Sequence, residues 1–267
     1  MEYQEYLPSD HLLNYIKCFW TIKIDFSTIH TNRFLFPSRC YMDLDFNISG
    51  EIIRRNNSGE TVCKGGYICG VNNDYIEVEV FSDLEMFGVR FCHGGAYPFL
   101  KLPATELLSQ SIDLYDVMGN DTLNNKIFEA KDTKQRVKVI ESLMTKKIVS
   151  HKFDDRIYHS LQLIKKRKGN ISIKELADCV NLSQRHFRRQ FQIYTGTTPK
   201  SISRMTRFQH LLSAYRSNNK KEIYKSIEDC AYVDQSHVIR DFKYFTNKTP
   251  RYFVNNEDVI VKSFNKL

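Results

Sequence analysis

The sequence predicts an α+β protein of two domains, an antiparallel β-barrel with trailing helices followed by an all-helical domain. Three observations carry that expectation. Two-residue hydrophobic alternation is confined to the residues before Leu102, helical spacing replaces it from there on, and one capped helix-turn-helix pattern occurs twice near the C-terminus.

The strand signal is explicit. Met42, Leu44, Phe46 and Ile48 alternate with Asp43, Asp45 and Asn47; Ile76, Val78 and Val80 alternate with Glu77 and Glu79; Phe87, Val89 and Phe91 repeat the pattern. Turn chemistry separates the runs at residues 56–59, 65–66, 72–74 and 94–95. Helical spacing then takes over through Leu107, Leu114, Val117, Ile127, Val137, Ile140 and Leu143. The polar stretch from Thr145 to Lys152 is the expected linker, giving domains 1–150 and 151–267.

Charge divides at the same place. Residues 1–150 hold 16 Lys and Arg against 20 Asp and Glu, whereas the remainder holds 23 against 11, and the whole chain carries +8. A polyanion partner for the C-terminal part follows. Seven cysteines, an odd number without a C-x-x-C pair, favour free thiols over a disulfide framework or a zinc knuckle. No stretch approaches the roughly 18 continuous apolar residues of a membrane span, and the acidic first residues do not resemble a signal peptide, so a cytoplasmic location without membrane contact is expected.

In the C-terminal part, Phe187, Phe191 and Tyr194 fall at i, i+4 and i+7, while Arg185, Arg188, Arg189 and Gln192 lie on the opposite face. Ser183 is a natural N-cap for this helix, and Ser172 and Glu175 have capping-box spacing at the start of the preceding one. Between them, Asn181, Leu182 and Ser183 make a tight turn in which Asn181 tolerates a left-handed backbone, and Ala177 suits a close helix crossing.

Adding 51 to each number repeats the design: Ser183 becomes Asp234, His186 becomes His237, Arg189 becomes Arg240 and Phe191 becomes Phe242. Thr195 to Lys200 likewise corresponds to Thr246 to Arg251, with Gly196 and Asn247 as C-cap residues. The units span about residues 155–198 and 217–253. Residues 199–216 read as one linker helix with Pro199 at its first position, about 27 Å long, which suits two reading helices in successive major grooves about 34 Å apart.

These residues resemble the AraC/XylS family of transcription regulators, most closely through Asp234-Gln-Ser-His-Val-Ile-Arg-Asp-Phe-Lys243 and Thr249-Pro-Arg-Tyr-Phe253. The resemblance covers roughly residues 155–253 and implies promoter binding in double-stranded DNA, activation of transcription and RNA polymerase as a partner. The second unit departs from the family pattern at Ala231, where a turn glycine is usual, and at Ile227, where a small residue is usual. The N-terminal part resembles a sensor-type, cupin-like domain through Tyr6-Leu-Pro-Ser9, Phe19-Trp20, Phe36-Pro37, Gly88-Val-Arg-Phe91 and Gly94-Gly95. That implies a module for a small-molecule effector or for homodimerisation.

The expected base readers are Gln184, Arg185, Arg188, Arg189 and Gln192 in the first unit and Gln235, Ser236, Ile239, Arg240 and Lys243 in the second. Lys200, Arg204 and Arg207 on the linker helix are phosphate candidates, and Lys165 to Lys168 read as a helix-end cluster. His186 and His237 are read as capping or packing residues. Asp43 and Asp45 read as the wet face of a strand. A cavity in the barrel would have Arg33, Arg39 and Arg90 as convergent groups. Histidines 11, 30 and 93 lack the close spacing of a metal-binding cupin, so no metal, cofactor or catalytic residue is expected. The alternative is an enzyme that uses Cys92 beside His93, with accessory DNA binding.

Overall fold

The computed structural model describes residues 1–36, 40–72, 75–150, 154–217, 219–232, 234–246 and 248–255. Its strands are β1 (Glu2–Tyr6), β2 (Ile16–Ile24), β3 (Arg33–Phe36), β4 (Asp43–Ser49), β5 (Ile52–Asn56), β6 (Gly59–Cys63), β7 (Gly66–Cys69), β8 (Ile76–Val80), β9 (Leu84–Phe91) and β10 (Ser111–Asp113). All strand pairs are antiparallel. They form two facing sheets, β1-β2-β9-β4-β7-β10 and β3-β8-β5-β6.

The expected closed barrel is therefore corrected to two open sheets. Closure requires a hydrogen-bonded ladder between the edges of one sheet and those of the other, and none joins them among the described residues. The hydrophobic alternation is satisfied by facing sheets as well as by a barrel, which is why it cannot separate the two.

The larger sheet is buried on both faces. Phe19, Leu44, Phe46, Phe87, Val89 and Phe91 pack outward against helices, while Trp20, Ile22, Tyr67, Cys69 and Met86 face the smaller sheet. In the β2–β9 ladder Trp20 stands opposite Gly88, whose missing side chain leaves room for the indole. This accounts for two of the dispersed N-terminal motifs. Pro37 of a third lies outside the described residues, as do Asn73 and Asp74 of one expected turn.

Helices α1 (Tyr97–Leu100), α2 (Leu114–Met118), α3 (Thr122–Glu129) and α4 (Thr133–Ser150), with the short helical turn Ala104–Leu107, complete the N-terminal part. The expected linker begins too early: Thr145 to Ser150 continue α4, because a polar stretch without glycine or proline gives a helix no reason to stop. His151 and Lys152 lie outside the described residues.

The C-terminal helices are α5 (Asp155–Lys166), α6 (Ile173–Cys179), α7 (Gln184–Thr195), α8 (Pro199–Arg216), α9 (Lys220–Asp229), α10 (Gln235–Thr246) and α11 (Pro250–Asn255). Their caps follow the sequence closely. Ser172 and Glu175 form a reciprocal capping box, Ser183 accepts from the His186 N–H, and Gly196 ends α7 in a left-handed conformation. Asn247 lies outside the described residues. One apolar core runs without a break from the outer face of the larger sheet, through Ala104, Leu107, Ile140 and Met144, into Ile157, Leu176, Phe191, Phe208 and Phe242.

The two helix pairs differ by one residue in the turn. Residues 180–183 connect α6 to α7, whereas 230–234 connect α9 to α10. The left-handed residues Asn181 and Ala231, at φ 53° and 52°, therefore correspond at an offset of 50, while the helices that follow correspond at 51. The same offset of 50 pairs Ala177, which is fully buried, with the half-buried Ile227; each carbonyl accepts from the N–H one residue after the left-handed position.

Alanine in the left-handed region costs roughly 1–2 kcal/mol, of which glycine would return all but the roughly 0.4–1 kcal/mol of its own unfolded-state entropy. Ala231→Gly should therefore stabilise the protein by about 0.5–1 kcal/mol. A thermal or urea melt checks this, with Asn181→Gly as the comparison expected to gain less, since asparagine already tolerates that backbone.

Candidate DNA-reading surface and inter-sheet cavity

On α7, Phe187, Phe191 and Thr195 point into the core, which leaves Gln184, Arg185, Arg188 and Arg189 exposed and Gln192 half-buried at the edge of the same face. On α10, Val238, Phe242 and Phe245 are buried, whereas Gln235, Ser236, Ile239, Arg240 and Lys243 are exposed. Each expected reading residue thus stands on the outward side of a helix locked from behind by phenylalanines. The His237 N–H donates to the Asp234 carboxylate at 2.7 Å, and its ring lies edge-on to Tyr232 with centroids 5.0 Å apart. His186 contributes its N–H to the Ser183 cap at 3.3 Å.

The linker-helix cations separate. Arg204 is committed to protein: its guanidinium reaches Asp241 Oδ1 at 2.8 Å through Nε and 2.7 Å through Nη2, and lies over the Tyr244 ring at 4.1 Å. Asp241 is fully buried on α10 and also accepts from the Tyr232 hydroxyl at 3.0 Å. Arg204 thus ties α8 to α10, and releasing it would strand a buried carboxylate. Arg207 packs against Gly169 and its carbonyl accepts from the Cys230 thiol at 3.7 Å, while Lys200 is exposed. In the Lys165 to Lys168 cluster, Lys168 pairs with Asp229 at 2.5 Å, tying the end of α5 to α9.

Between the sheets lies a hollow of about 110 Å³. Its apolar wall includes Trp20, Ile22, Phe34, Ile76, Val78 and Met86, and its polar end holds Asp43, Asp45, Arg54, Tyr67, Asn72 and Arg90. Arg90, fully buried on β9, grips Asp43 on β4 through Nε at 3.1 Å and Nη2 at 2.9 Å. Burial opposes the charge on Arg90, and the adjacent carboxylate more than offsets it, so its pKa lies above the usual arginine value. Arg54 on β5 reaches across to Asp45 at 3.8 Å and to the Cys69 sulfur, whose thiol meets the same carboxylate at 3.3 Å.

Asp43 and Asp45 therefore face the interior rather than solvent; Asp45 is only 5% exposed. The alternation was legible, but the second sheet that covers its polar side was not. Arg33 lies on the outer face of the smaller sheet, where it meets Glu77 and Glu79, and Arg39 lies outside the described residues. Arg54 was not singled out in the sequence, and pairing of β5 with β8 is what brings it inward.

Cys92 lies beside Leu13. Its thiol donates to the Leu13 carbonyl at 3.5 Å, and burial raises its pKa. Burial likewise lowers His93 to about 3, with its ring stacked on Tyr41 at 4.4 Å. Among the described residues, no group of three or more His, Cys, Asp or Glu is arranged to hold a metal ion, and no helix is long and apolar enough to cross a membrane.

Cavity and reading helix are joined by direct contacts. Gly70, in the cavity wall, sits so close to the Leu107 carbonyl that a side chain there would overlap it. Leu107 ends the helical turn Ala104–Leu107, which packs on α7, with the Ala104 carbonyl against Gly196. Thr105 of the same turn borders the groove formed by Gln184, Arg185, Arg188, Arg189 and Gln192. Tyr97 and Tyr194 (ring centroids 4.3 Å apart) and the Tyr158 hydroxyl bonded to Asn14 at 2.8 Å extend this interface.

A two-domain fold with capped, basic-faced helices behind tight turns defines a DNA-binding regulator of transcription. Residues 176–256 match the family described as a helix-turn-helix domain, and residues 4–113 match a domain of unknown function designated DUF6597. The fold is similar to that of ToxT from Vibrio cholerae, with a TM-score of 0.50 and 9% identity over 95% of this chain and 98% of that one. It is similar to the same degree to ToxT from Vibrio cholerae O395 bound to (E)-4-(8-methylnaphthalen-1-yl)but-3-enoic acid, at TM-score 0.50 and 11% identity, again over 95% and 98% of the two chains. No curated protein matches the sequence.

Two substitutions separate structural from phosphate-binding cations. Arg204→Ala should destabilise the protein by about 3 kcal/mol through the stranded Asp241, visible as a lowered Tm without DNA present. Lys200→Ala should leave the melt unchanged and reduce the slope of log affinity against log salt concentration by about 1 if that ammonium meets a phosphate.

Proposed function

We propose that the protein is a sequence-specific transcription activator that binds promoter DNA with two helix-turn-helix units, α6–α7 and α9–α10, under the influence of a small molecule held between its N-terminal sheets. The observation that carries this reading is the paired presentation of α7 and α10. Each is fixed from behind by phenylalanines and shows solvent a face of long hydrogen-bonding side chains. Within that reading, Gln184, Arg185, Arg188, Arg189 and Gln192 contact one major groove and Gln235, Ser236, Ile239, Arg240 and Lys243 the next, with Lys200 on a phosphate.

The first unit carries the larger charge and the smaller residue, Ala177, at the position matched by Ile227, so it anchors the complex; the second adds discrimination through Arg240 and the apolar Ile239. The domain division falls at about residue 150. A ligand-responsive N-terminal domain is supported by the inter-sheet cavity and by the structurally similar ToxT, crystallised with a naphthyl-butenoic acid. The contact line from Gly70 through Leu107 and Ala104 to α7 gives such a ligand a physical route to the reading helix. RNA polymerase is the expected partner at the promoter, a second copy of the chain is the expected partner in solution, and the cytoplasm is the expected location.

Fluorescence anisotropy against a pool of promoter fragments tests the reading. Arg189→Ala and Arg240→Ala should each weaken binding to the preferred fragment by about 1–3 kcal/mol and relax preference at a single position. Uniform affinity across fragments, unchanged by either substitution, would falsify sequence-specific recognition by these helices.

A further inference from the structure

The chemistry of the inter-sheet cavity is narrower than the presence of a hollow. Its polar end contains two carboxylates and two guanidinium groups, and they neutralise one another within the wall: Arg90 with Asp43, and Arg54 with Asp45. Among the described residues of the wall, a ligand that brings its own charge meets only groups already paired, and would have to be desolvated against them. A neutral group that both donates and accepts is different. It can accept from a guanidinium and donate to a carboxylate without displacing either ion pair.

The wall narrows the choice further. The apolar wall of Trp20, Ile22, Phe34, Val78 and Met86 suits one flat ring. We infer that the effector is an uncharged, single-ring molecule carrying adjacent hydrogen-bond donor and acceptor atoms, such as an aromatic amide or lactam, rather than a carboxylic acid or an amine. The inference rests on the reading of this hollow as the ligand site.

Benzamide, benzoate and benzamidine are nearly isosteric and present the neutral, anionic and cationic forms of one shape. Their binding to the full-length protein is measured by ligand-observed NMR titration, alongside Val78→Trp, which fills the hollow. Benzamide is expected to bind about tenfold or more tighter than either charged probe, and Val78→Trp should abolish that binding. Removing one charge should redirect the preference. Asp43→Asn leaves Arg90 in excess and should shift the ranking toward benzoate; Arg54→Gln leaves Asp45 in excess and should shift it toward benzamidine. If either variant fails to fold, the ranking in the unaltered protein still decides.

Tightest binding of benzoate or benzamidine, lost in Val78→Trp, would overturn the ligand class while leaving the hollow as a ligand site. Benzamide binding that survives Val78→Trp would overturn the assignment to this cavity. Absence of binding by all three at millimolar concentration would overturn the ligand class and the ligand-site reading together.

Discussion

The rest of the structure depends on the burial of both faces of the central strands β4 and β9. A strand covered on one side can be polar on the other; these are covered on both, so every side chain has to be satisfied within protein. On one face the answer is apolar, with Leu44, Phe46, Phe87, Val89 and Phe91 packed against helices. On the other it is ionic, with Asp43 held by Arg90 and Asp45 reached by Arg54. The first answer builds the core that continues into the C-terminal helices, and the second builds the polar end of the cavity. The same few residues thus join the sheets to the C-terminal helices and line the polar end of the cavity.

The C-terminal half was the more legible because its signals are local. Caps, turn residues and the apolar stripe of α7 lie within a few residues of one another, and the structure places Ser172, Glu175, Ser183, Asn181 and Gly196 as those signals require. The interior partners were hidden by sequence distance. Nothing near Arg204 announces Asp241 as its partner, nor does anything near Asp43 announce Arg90, because both pairings exist only after helices or strands are brought side by side. The alternation of β4 correctly separated its two faces but could not say that the polar one would be roofed by a second sheet.

The duplication shows the same limit in a subtler form. A single offset of 51 describes the reading helices, yet the helices before the turns are related by 50, and the difference is absorbed by one additional residue between α9 and α10. With Ile227 where the first unit has Ala177, the second unit places a larger, half-buried side chain at the matching position of its first helix. The two units are variations on one construction, and their inequality is steric before it is electrostatic.

The unbroken core has a thermodynamic consequence. Because apolar packing passes from the larger sheet through Ala104 and Leu107 to Phe191 and Phe208, the two halves cannot unfold independently without exposing that seam to water. Free energy contributed at the cavity is then shared by the whole cooperative unit. A molecule bound between the sheets would steady the reading helices by making the entire chain harder to melt, so that communication and stability become two measurements of the same coupling.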